Sequence, residues 1–124
     1  MMKILLVDDD TFLRDMYATK FLECGHSVTP ALHAADALRV LETDTSFDLM
    51  LVDMIMPGMT GVELMSEIKR ILPEVTMKCI VLSNQGQDQD IEEATAVGAI
   101  GYIIKAQSVP SEVVKRVEEI MSAA

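Results

Sequence analysis

The chain has 124 residues, 20 of them acidic and 10 basic, which gives a formal net charge of −10 at pH 7. This length predicts a single domain, residues 1–124, and the acidic balance argues against direct binding of nucleic acid, which needs a basic surface. The apolar runs break after about four residues, far short of the roughly 20 that cross a bilayer, and no secretory leader is evident, so we expect a cytoplasmic protein without membrane association.

Five short apolar runs alternate with amphipathic helical patterns along the chain. Runs of this length, each followed by a helix, indicate buried strands of a parallel sheet with helices on both faces. We therefore predict an α/β fold, a doubly wound five-stranded parallel sheet with five helices. The predicted strands contain Ile4–Val7, Ser27–Ala31, Leu49–Val52, Ile80–Leu82 and Tyr102–Ile104.

The helical patterns carry recognisable start and stop signals. Gly25 is placed to end the first helix and Gly98 the fourth, whereas Pro110 marks the start of the fifth. The segment from Thr60 to Glu63 matches a capping box that opens the third helix, and Pro73 follows the end of that helix. The apolar stripe predicted for the first helix consists of Leu13, Met16, Tyr17 and Phe21.

The cysteines and histidines show no spacing typical of a metal site or a paired-cysteine motif. Cys24 lies on a helical stripe and Cys79 inside an apolar strand, so we expect two buried free thiols and no disulfide. His26 and His33 are separate from each other and from any cysteine or carboxylate at ligand spacing, and we assign no chemistry to them.

Polar side chains follow four of the predicted strands where each strand ends. Asp8 and Asp9 follow the first, Asp53 the third, Ser83 the fourth and Lys105 the fifth. Open parallel sheets bind ligands just outside the carboxyl ends of their strands, so these side chains should converge. Three carboxylates placed together repel one another unless a cation or protons intervene, and an all-oxygen set suits Mg²⁺ together with phosphate.

The same arrangement favours phosphoryl transfer. An aspartate can act as the nucleophile that forms an aspartyl phosphate, and this reaction depends mostly on positioning and charge neutralisation. A phosphoryl group on Asp53 would find hydrogen-bond donors in Ser83 and Lys105. Each residue alone is more often a cap, a turn residue or a solvated side chain. It is their convergence that predicts a phosphoryl site.

Four sequence motifs surround these residues: Val7-Asp8-Asp9; Leu51-Val52-Asp53 followed by Met56-Pro57-Gly58 and Gly61; Val81-Leu82-Ser83; and Gly98-Ala99 followed by Gly101-Tyr102-Ile103-Ile104-Lys105. Together, and over its whole length, the chain resembles the receiver domain of two-component response regulators. The resemblance implies a flavodoxin-like strand order, 2-1-3-4-5. It also implies that Asp53 accepts a phosphoryl group from the phosphohistidine of a sensor histidine kinase or phosphotransfer protein.

The resemblance implies further roles for individual residues. Asp8, Asp9, Asp53 and the backbone carbonyl of Ile55 would hold Mg²⁺, while Ser83 and Lys105 would contact the phosphoryl group. Tyr102 resembles the switch aromatic of the family, which responds to the hydroxyl residue and alters the surface of the fourth helix, fifth strand and fifth helix. That surface would serve an output partner, whose identity the sequence does not reveal, and the resemblance also allows a phosphorylation-dependent homodimer. Without the other motifs, Tyr102 would be an ordinary strand aromatic.

Two positions depart from the family pattern. Ala106 stands where relatives commonly carry a proline in a cis peptide, and because a cis bond at a non-proline residue costs about 3 kcal/mol, we expect the Lys105–Ala106 peptide to be trans. Asn84 stands where a very small residue is usual, beside the predicted phosphoryl pocket.

Two other functions fit parts of the pattern. A phosphohydrolase of the haloacid dehalogenase type would use Asp8 and Asp10, but its motif requires threonine where Phe12 stands and leaves Asp53 unexplained. That motif also needs an acidic pair after its lysine, and the only acidic residues at that place in this chain are glutamates of the last predicted helix. A receiver-like interaction module that never accepts phosphate is the second alternative, against which the retained Asp53, Ser83 and Lys105 argue. We therefore expect a phosphoacceptor signalling domain, not an enzyme, with catalysis limited to its own phosphorylation and dephosphorylation.

Overall fold

The computed structural model describes residues 1–84, 88–105 and 108–124. Strands and helices alternate along the chain, as the sequence predicts. The predicted trans peptide between Lys105 and Ala106 lies outside the described residues. The elements are β1 (Lys3–Val7), α1 (Thr11–Glu23), β2 (Ser27–Ala31), α2 (Ala34–Thr43), β3 (Leu49–Asp53), α3 (Gly61–Ile71), β4 (Lys78–Ser83), α4 (Asp88–Ala96), β5 (Ala99–Ile104) and α5 (Pro110–Ala123).

All five strands form one parallel sheet in the order β2-β1-β3-β4-β5. This confirms the predicted doubly wound arrangement, in which the chain winds outward in both directions from β1. The central strand β3 is buried along its whole length, as its apolar run from Leu49 to Val52 requires, and the burial extends to Asp53 at its end. The edge strand β2 contains Pro30, which an edge position tolerates because one side of the strand needs no ladder hydrogen bond.

Two apolar cores cover the two faces of the sheet. Successive side chains of β1 alternate between them: Ile4 and Leu6 lie in the core beneath α1 and α5, whereas Leu5 and Val7 lie in the core beneath α2, α3 and α4. The polar residues that follow the strands are thereby held at one edge of a sheet that is buried on both sides.

The predicted helix boundaries are largely confirmed. Asp10 caps α1 by accepting the Leu13 N–H, and Gly25 follows that helix with a φ of +90°, a conformation that glycine adopts readily. Thr60 and Glu63 form the capping box of α3 reciprocally, each side chain accepting the other residue's backbone N–H.

Met16 and Cys24 are more exposed than most apolar residues of the chain, and for Cys24 the predicted burial was wrong. Met16 is 36% exposed, because the sheet and α5 cover only a narrow stripe of α1 in which Tyr17 and Phe21 are buried. Cys24 is exposed because it caps the carboxyl end of α1 beyond the last buried turn. Cys79 is partly buried, which raises the pKa of its thiol to about 11, and both cysteines are free, as predicted.

The two histidines have structural roles. His33 caps α2 by accepting the Asp36 N–H. His26 accepts the Met2 N–H at its Nδ1 (3.0 Å), so its ring proton lies on Nε2, which donates to Glu118 of α5 at 2.8 Å. The amino end of the sheet is thereby tied to the last turns of α5.

No helix in the described part of the chain has the length and apolar character needed to span a membrane.

A second set of contacts fixes the amino end of β1. The Lys3 ammonium donates to Asp44 and to Ser46, at 2.5 Å in each case, and lies 4.9 Å from the centre of the Phe47 ring. The Lys3 N–H also donates to Asp48 at 2.8 Å. These bonds hold the loop that enters β3 against the start of β1.

Candidate functional site

The carboxyl ends of β1, β3, β4 and β5 surround a pocket of about 360 Å³. Strand register explains this convergence, since Val7 pairs with Val52, Asp53 with Leu82 and Ser83 with Ile104. The residues that follow these pairs therefore reach the same edge. The pocket is lined by Asp9, Asp53, Ser83, Asn84 and Lys105, among others.

The three aspartates that follow β1 have different environments. Asp8 is fully buried, and its Oδ1 accepts the N–H of Asp10 at 3.0 Å. Asp9 is exposed and lines the pocket. The Asp10 carboxylate is engaged in capping α1. The local turn thus buries the first carboxylate, exposes the second to the pocket, and uses the third, which also lines the pocket, to start the helix.

Asp53 ends β3 and is buried, with 7% of its surface exposed. Its Oδ1 accepts the N–H of Ile55 at 3.4 Å. Gly61, the first residue of α3, packs directly on this point: a Cβ there would lie 2.6 Å from the carbonyl oxygen of Asp53. Only glycine lets the start of α3 approach the aspartate backbone so closely.

Lys105 bridges two of the carboxylates. Its buried ammonium lies 2.8 Å from Oδ2 of Asp8 and 3.2 Å from Oδ2 of Asp53. Burial alone would lower the pKa of the lysine, but the hydrogen bond to Asp8 and the charges of Asp53 and Asp8 outweigh it and raise the pKa above its ordinary value. Lys105 is therefore held as a cation.

For the Asp53 carboxyl, burial outweighs the favourable charge of its partner. Burial raises its pKa, opposed by the charge of Lys105 and assisted by that of Asp8, and the result is a pKa of about 6. Lys105 favours the charged state of Asp53, yet its shorter bond is to Asp8. We therefore assign the ion pair mainly to Lys105 and Asp8, with Asp53 as the less compensated carboxylate.

The acidic residues fit a divalent cation. Asp8, Asp9 and Asp53 each offer a carboxylate oxygen, and these oxygens lie within 4.8 Å of one another. Two of the three residues are buried, which fixes their position, and the third opens to the pocket. An all-oxygen set that brings together three negative charges is the donor chemistry that Mg²⁺ prefers. The side chain of Ile55 is 73% exposed beside this cluster.

Ser83 and Tyr102 are linked directly. Ser83 is buried at the end of β4, and its side chain is hydrogen-bonded to that of Tyr102. Burial raises the pKa of the Tyr102 hydroxyl, and this bond partly offsets the rise. The ring packs against the core beneath α2, α3 and α4. The residue predicted to contact phosphate and the residue predicted to switch are thus in contact.

Sequence reasoning overlooked two residues near the pocket. Tyr17, 1% exposed on α1, lies close enough that the charges of Lys105, Asp8 and Asp53 affect its pKa, which burial raises. Leu13, one turn earlier on the same helix, lines the pocket itself. Both belong to the apolar stripe of α1. The only feature of the sequence that could have indicated their position near the pocket is that this stripe begins immediately after the aspartates.

Comparison with known proteins agrees with this architecture. Residues 4–118 match the family described as the response regulator receiver domain. Among curated proteins, the chain is 33% identical over 118 residues to the phosphate regulon transcriptional regulatory protein PhoB of Pseudomonas aeruginosa, a match that covers 95% of this chain and 51% of that protein. It is 30% identical over 122 residues to the response regulator SaeR of Staphylococcus aureus, covering 98% and 51%.

Solved structures give the same result. Chemotaxis protein CheY4 of Vibrio cholerae superposes with a TM-score of 0.87 and 27% identity, covering 97% of this chain and 98% of that one. A CheY-like response regulator receiver domain protein of Methanospirillum hungatei superposes with a TM-score of 0.86 and 28% identity, covering 99% and 95%.

The fold and the acidic pocket at the strand ends define a signalling domain of the two-component systems. The chain belongs to the response regulator receiver domain family. It spans about half the length of the curated relatives that it matches.

Proposed function

We propose that residues 1–124 form a single receiver domain in which Asp53 accepts a phosphoryl group from the phosphohistidine of a sensor histidine kinase or phosphotransfer protein. The observation that carries the proposal is the position of Asp53. It shares an oxygen cluster with Asp8 and Asp9 on one side, and it lies 3.2 Å from the Lys105 ammonium on the other. Burial raises its pKa to about 6, against the opposing charge of Lys105.

In the proposed reaction, an oxygen of Asp53 attacks phosphorus and forms an O–P bond. The P–N bond of the phosphohistidine breaks, and its electron pair stays on the donor imidazole. Asp8, Asp9, Asp53 and the carbonyl of Ile55 would hold Mg²⁺, which supplies positive charge to the carboxylates and the phosphoryl oxygens. Lys105 adds a second positive charge in contact with Asp53.

Ser83 connects the acceptor to the surface. A serine hydroxyl has one donor and two acceptor positions, so a Ser83 that donates to a phosphoryl oxygen could no longer donate to Tyr102 and could only accept from the Tyr102 hydroxyl. A phosphoryl group on Asp53 would therefore fix the orientation of Ser83 and, through it, the position of Tyr102 on β5. This coupling would alter the surface of α4, β5 and α5 for an output partner or for a second copy of the chain.

In this proposal the domain acts in the cytoplasm. It does not turn over external substrates. Family membership gives no support to the phosphohydrolase alternative. A hydrolase would release phosphate repeatedly from phosphomonoesters, whereas this domain should label itself at most once.

The test is phosphorylation by acetyl phosphate in the presence of Mg²⁺, followed by intact-mass analysis. We expect one phosphoryl adduct on the wild-type chain, none on Asp53→Asn, and an unchanged adduct on the control Asp15→Asn, whose carboxylate is exposed on α1. An adduct that persists in Asp53→Asn would overturn the assignment. An unlabelled wild-type chain, also after treatment with a histidine kinase, would favour the phosphate-independent module.

A further inference from the structure

A second concave surface lies between α1, the end of β2 and α2, and neither the proposed phosphoryl transfer nor the family motifs use it. It is a groove of about 480 Å³, a volume within the range of small-molecule sites. Arg14 and Arg39 line it from the two helices. Leu13 lines the phosphoacceptor pocket and the next residue, Arg14, lines this groove, so the start of α1 separates the two.

Arg14 is an unusually buried cation. Its side chain is only 13% exposed, and its Nε has no hydrogen-bond acceptor within the described residues. The carboxylate that approaches it is that of Asp15, whose Oδ1 lies 3.8 Å from Nη2 and whose side chain is 70% exposed. Charged groups are rarely buried without a close partner, because desolvation is costly when nothing compensates it.

The carboxylate inside the groove is already engaged. Asp36 accepts from Arg39 at 3.0 Å and from the Leu32 N–H at 3.3 Å, and the His33 ring lies 3.8 Å away. Asp36 therefore neutralises Arg39 and not Arg14. The lining of the groove thus holds two guanidinium groups and one carboxylate, and the exposed Asp15 carboxylate lies outside this lining, 3.8 Å from Arg14 Nη2, in a chain whose net charge is −10.

From this juxtaposition we propose that the groove is a binding site for a small oxyanion, a carboxylate or a phosphate group, held by the guanidinium groups of Arg14 and Arg39. The guanidinium fork matches two oxygens of either group, and a charge-assisted contact is strengthened where water is largely excluded. Arg39 is 72% exposed at the mouth of the groove and can move toward a ligand, whereas Arg14 is fixed at its wall. A bound anion would give Arg14 a closer countercharge than Asp15, whose carboxylate oxygen lies 3.8 Å from Nη2.

The test is a titration of the ¹⁵N-labelled chain in metal-free buffer with sodium phosphate and, separately, with sodium succinate. Sodium chloride at matched ionic strength serves as the reference. We expect a saturable shift of the Arg14 Nε–H signal and of the Leu32 and Val40 amides, and the ligand with the tighter saturation identifies the preferred oxyanion. Shifts at Ser83 and its neighbours would report phosphate in the acceptor pocket instead, so the two sites are read separately.

Variants complete the test. Arg14→Gln should weaken the response at the Leu32 and Val40 amides at least ten-fold, and Arg14→Lys should weaken it less because the charge is kept without the fork. Arg116→Gln on α5, which removes a 61% exposed arginine, should leave it unchanged. Non-saturating shifts that chloride reproduces, or equal binding by wild type and Arg14→Gln, would overturn the proposal. If Arg14→Gln does not fold, the same comparison with the exposed Arg39→Gln decides the outcome.

Discussion

The raised pKa of Asp53 predicts that replacing this carboxylate with an amide stabilises the metal-free domain. At neutral pH the native state must hold an ionised, buried carboxylate close to Asp8, whereas in the unfolded chain the same group is solvated. Asp53→Asn removes this charge, keeps the shape of the side chain, and leaves Lys105 paired with Asp8 at 2.8 Å. The substitution should therefore raise the free energy of unfolding.

The magnitude follows from the shift, which runs from 3.8 to about 6. At about 1.4 kcal/mol for each pKa unit, the upper limit is about 3 kcal/mol. Because the pocket opens to solvent, which screens the charges, and because the amide gives up its ionic contact with Lys105, we expect about 1–2 kcal/mol. For a domain of this size that corresponds to an increase in Tm of about 3–8 °C.

The pH dependence has a defined sign. The native pKa of Asp53 is above its unfolded value, so between pH 4 and 6 the native state binds a proton that the unfolded state does not. The penalty on the wild type is complete above pH 6 and disappears as the pH falls toward 4. The advantage of Asp53→Asn should therefore be largest at neutral pH and should vanish in acid.

Urea unfolding followed by circular dichroism, in buffer containing a chelator and at several values between pH 4 and 7, measures this difference. Glu42→Gln is the control, since its carboxylate is exposed on α2, and its stability should follow the wild type at every pH. A variant less stable than the wild type at neutral pH, or an advantage that grows on acidification, would refute the reasoning.

Three further results are expected. Asp9→Ala should lose Mg²⁺ affinity in calorimetric titration yet retain its metal-free Tm, because the carboxylate is exposed; a large fall in metal-free Tm would instead indicate a structural role. Lys105→Ala should bind Mg²⁺ more tightly, because Asp8 and Asp53 lose their competing cation, while labelling by acetyl phosphate slows; weaker Mg²⁺ binding would contradict this. Ala106→Pro should change the rate of labelling more than the Tm, and the reverse would argue against a role for that peptide in positioning the lysine.

The fold was predictable because burial on two faces leaves a simple signature. A strand covered on both sides must be apolar at every position, and in a parallel sheet it must be followed by a helix, so β1, β3 and β4 were identified from the sequence. The exposure of Met16 and Cys24 was not predictable. Helical spacing shows which face of α1 is apolar, but it does not show how much of that face the neighbouring elements cover.

The site was predictable in composition but not in contacts. Parallel strands bring their carboxyl ends to one edge, so the convergence of Asp8, Asp53, Ser83 and Lys105 followed from their positions after strands. That Lys105 lies closer to Asp8 than to Asp53, and that Ser83 bonds Tyr102, depends on differences of a few tenths of an ångström and on rotamers. These distances and rotamers are set by packing in the folded chain, and the spacing of residues in the sequence does not indicate them.

The ties at the amino edge of the sheet also determine how α5 can move. Glu118, in the last turns of α5, is held by His26, and Gly101 of β5 packs so closely on Ile120 that a Cβ would lie 2.7 Å from its Cδ1. The first turn of α5, by contrast, lies at the carboxyl edge. Val113, Val114 and Val117 bury the amino-terminal half of α5 through non-directional apolar contacts, whereas Glu118 is held by a directional hydrogen bond. A disturbance at the acceptor pocket would therefore reach α5 as a small sliding of its amino-terminal half, while the half that contains Glu118 stays in place.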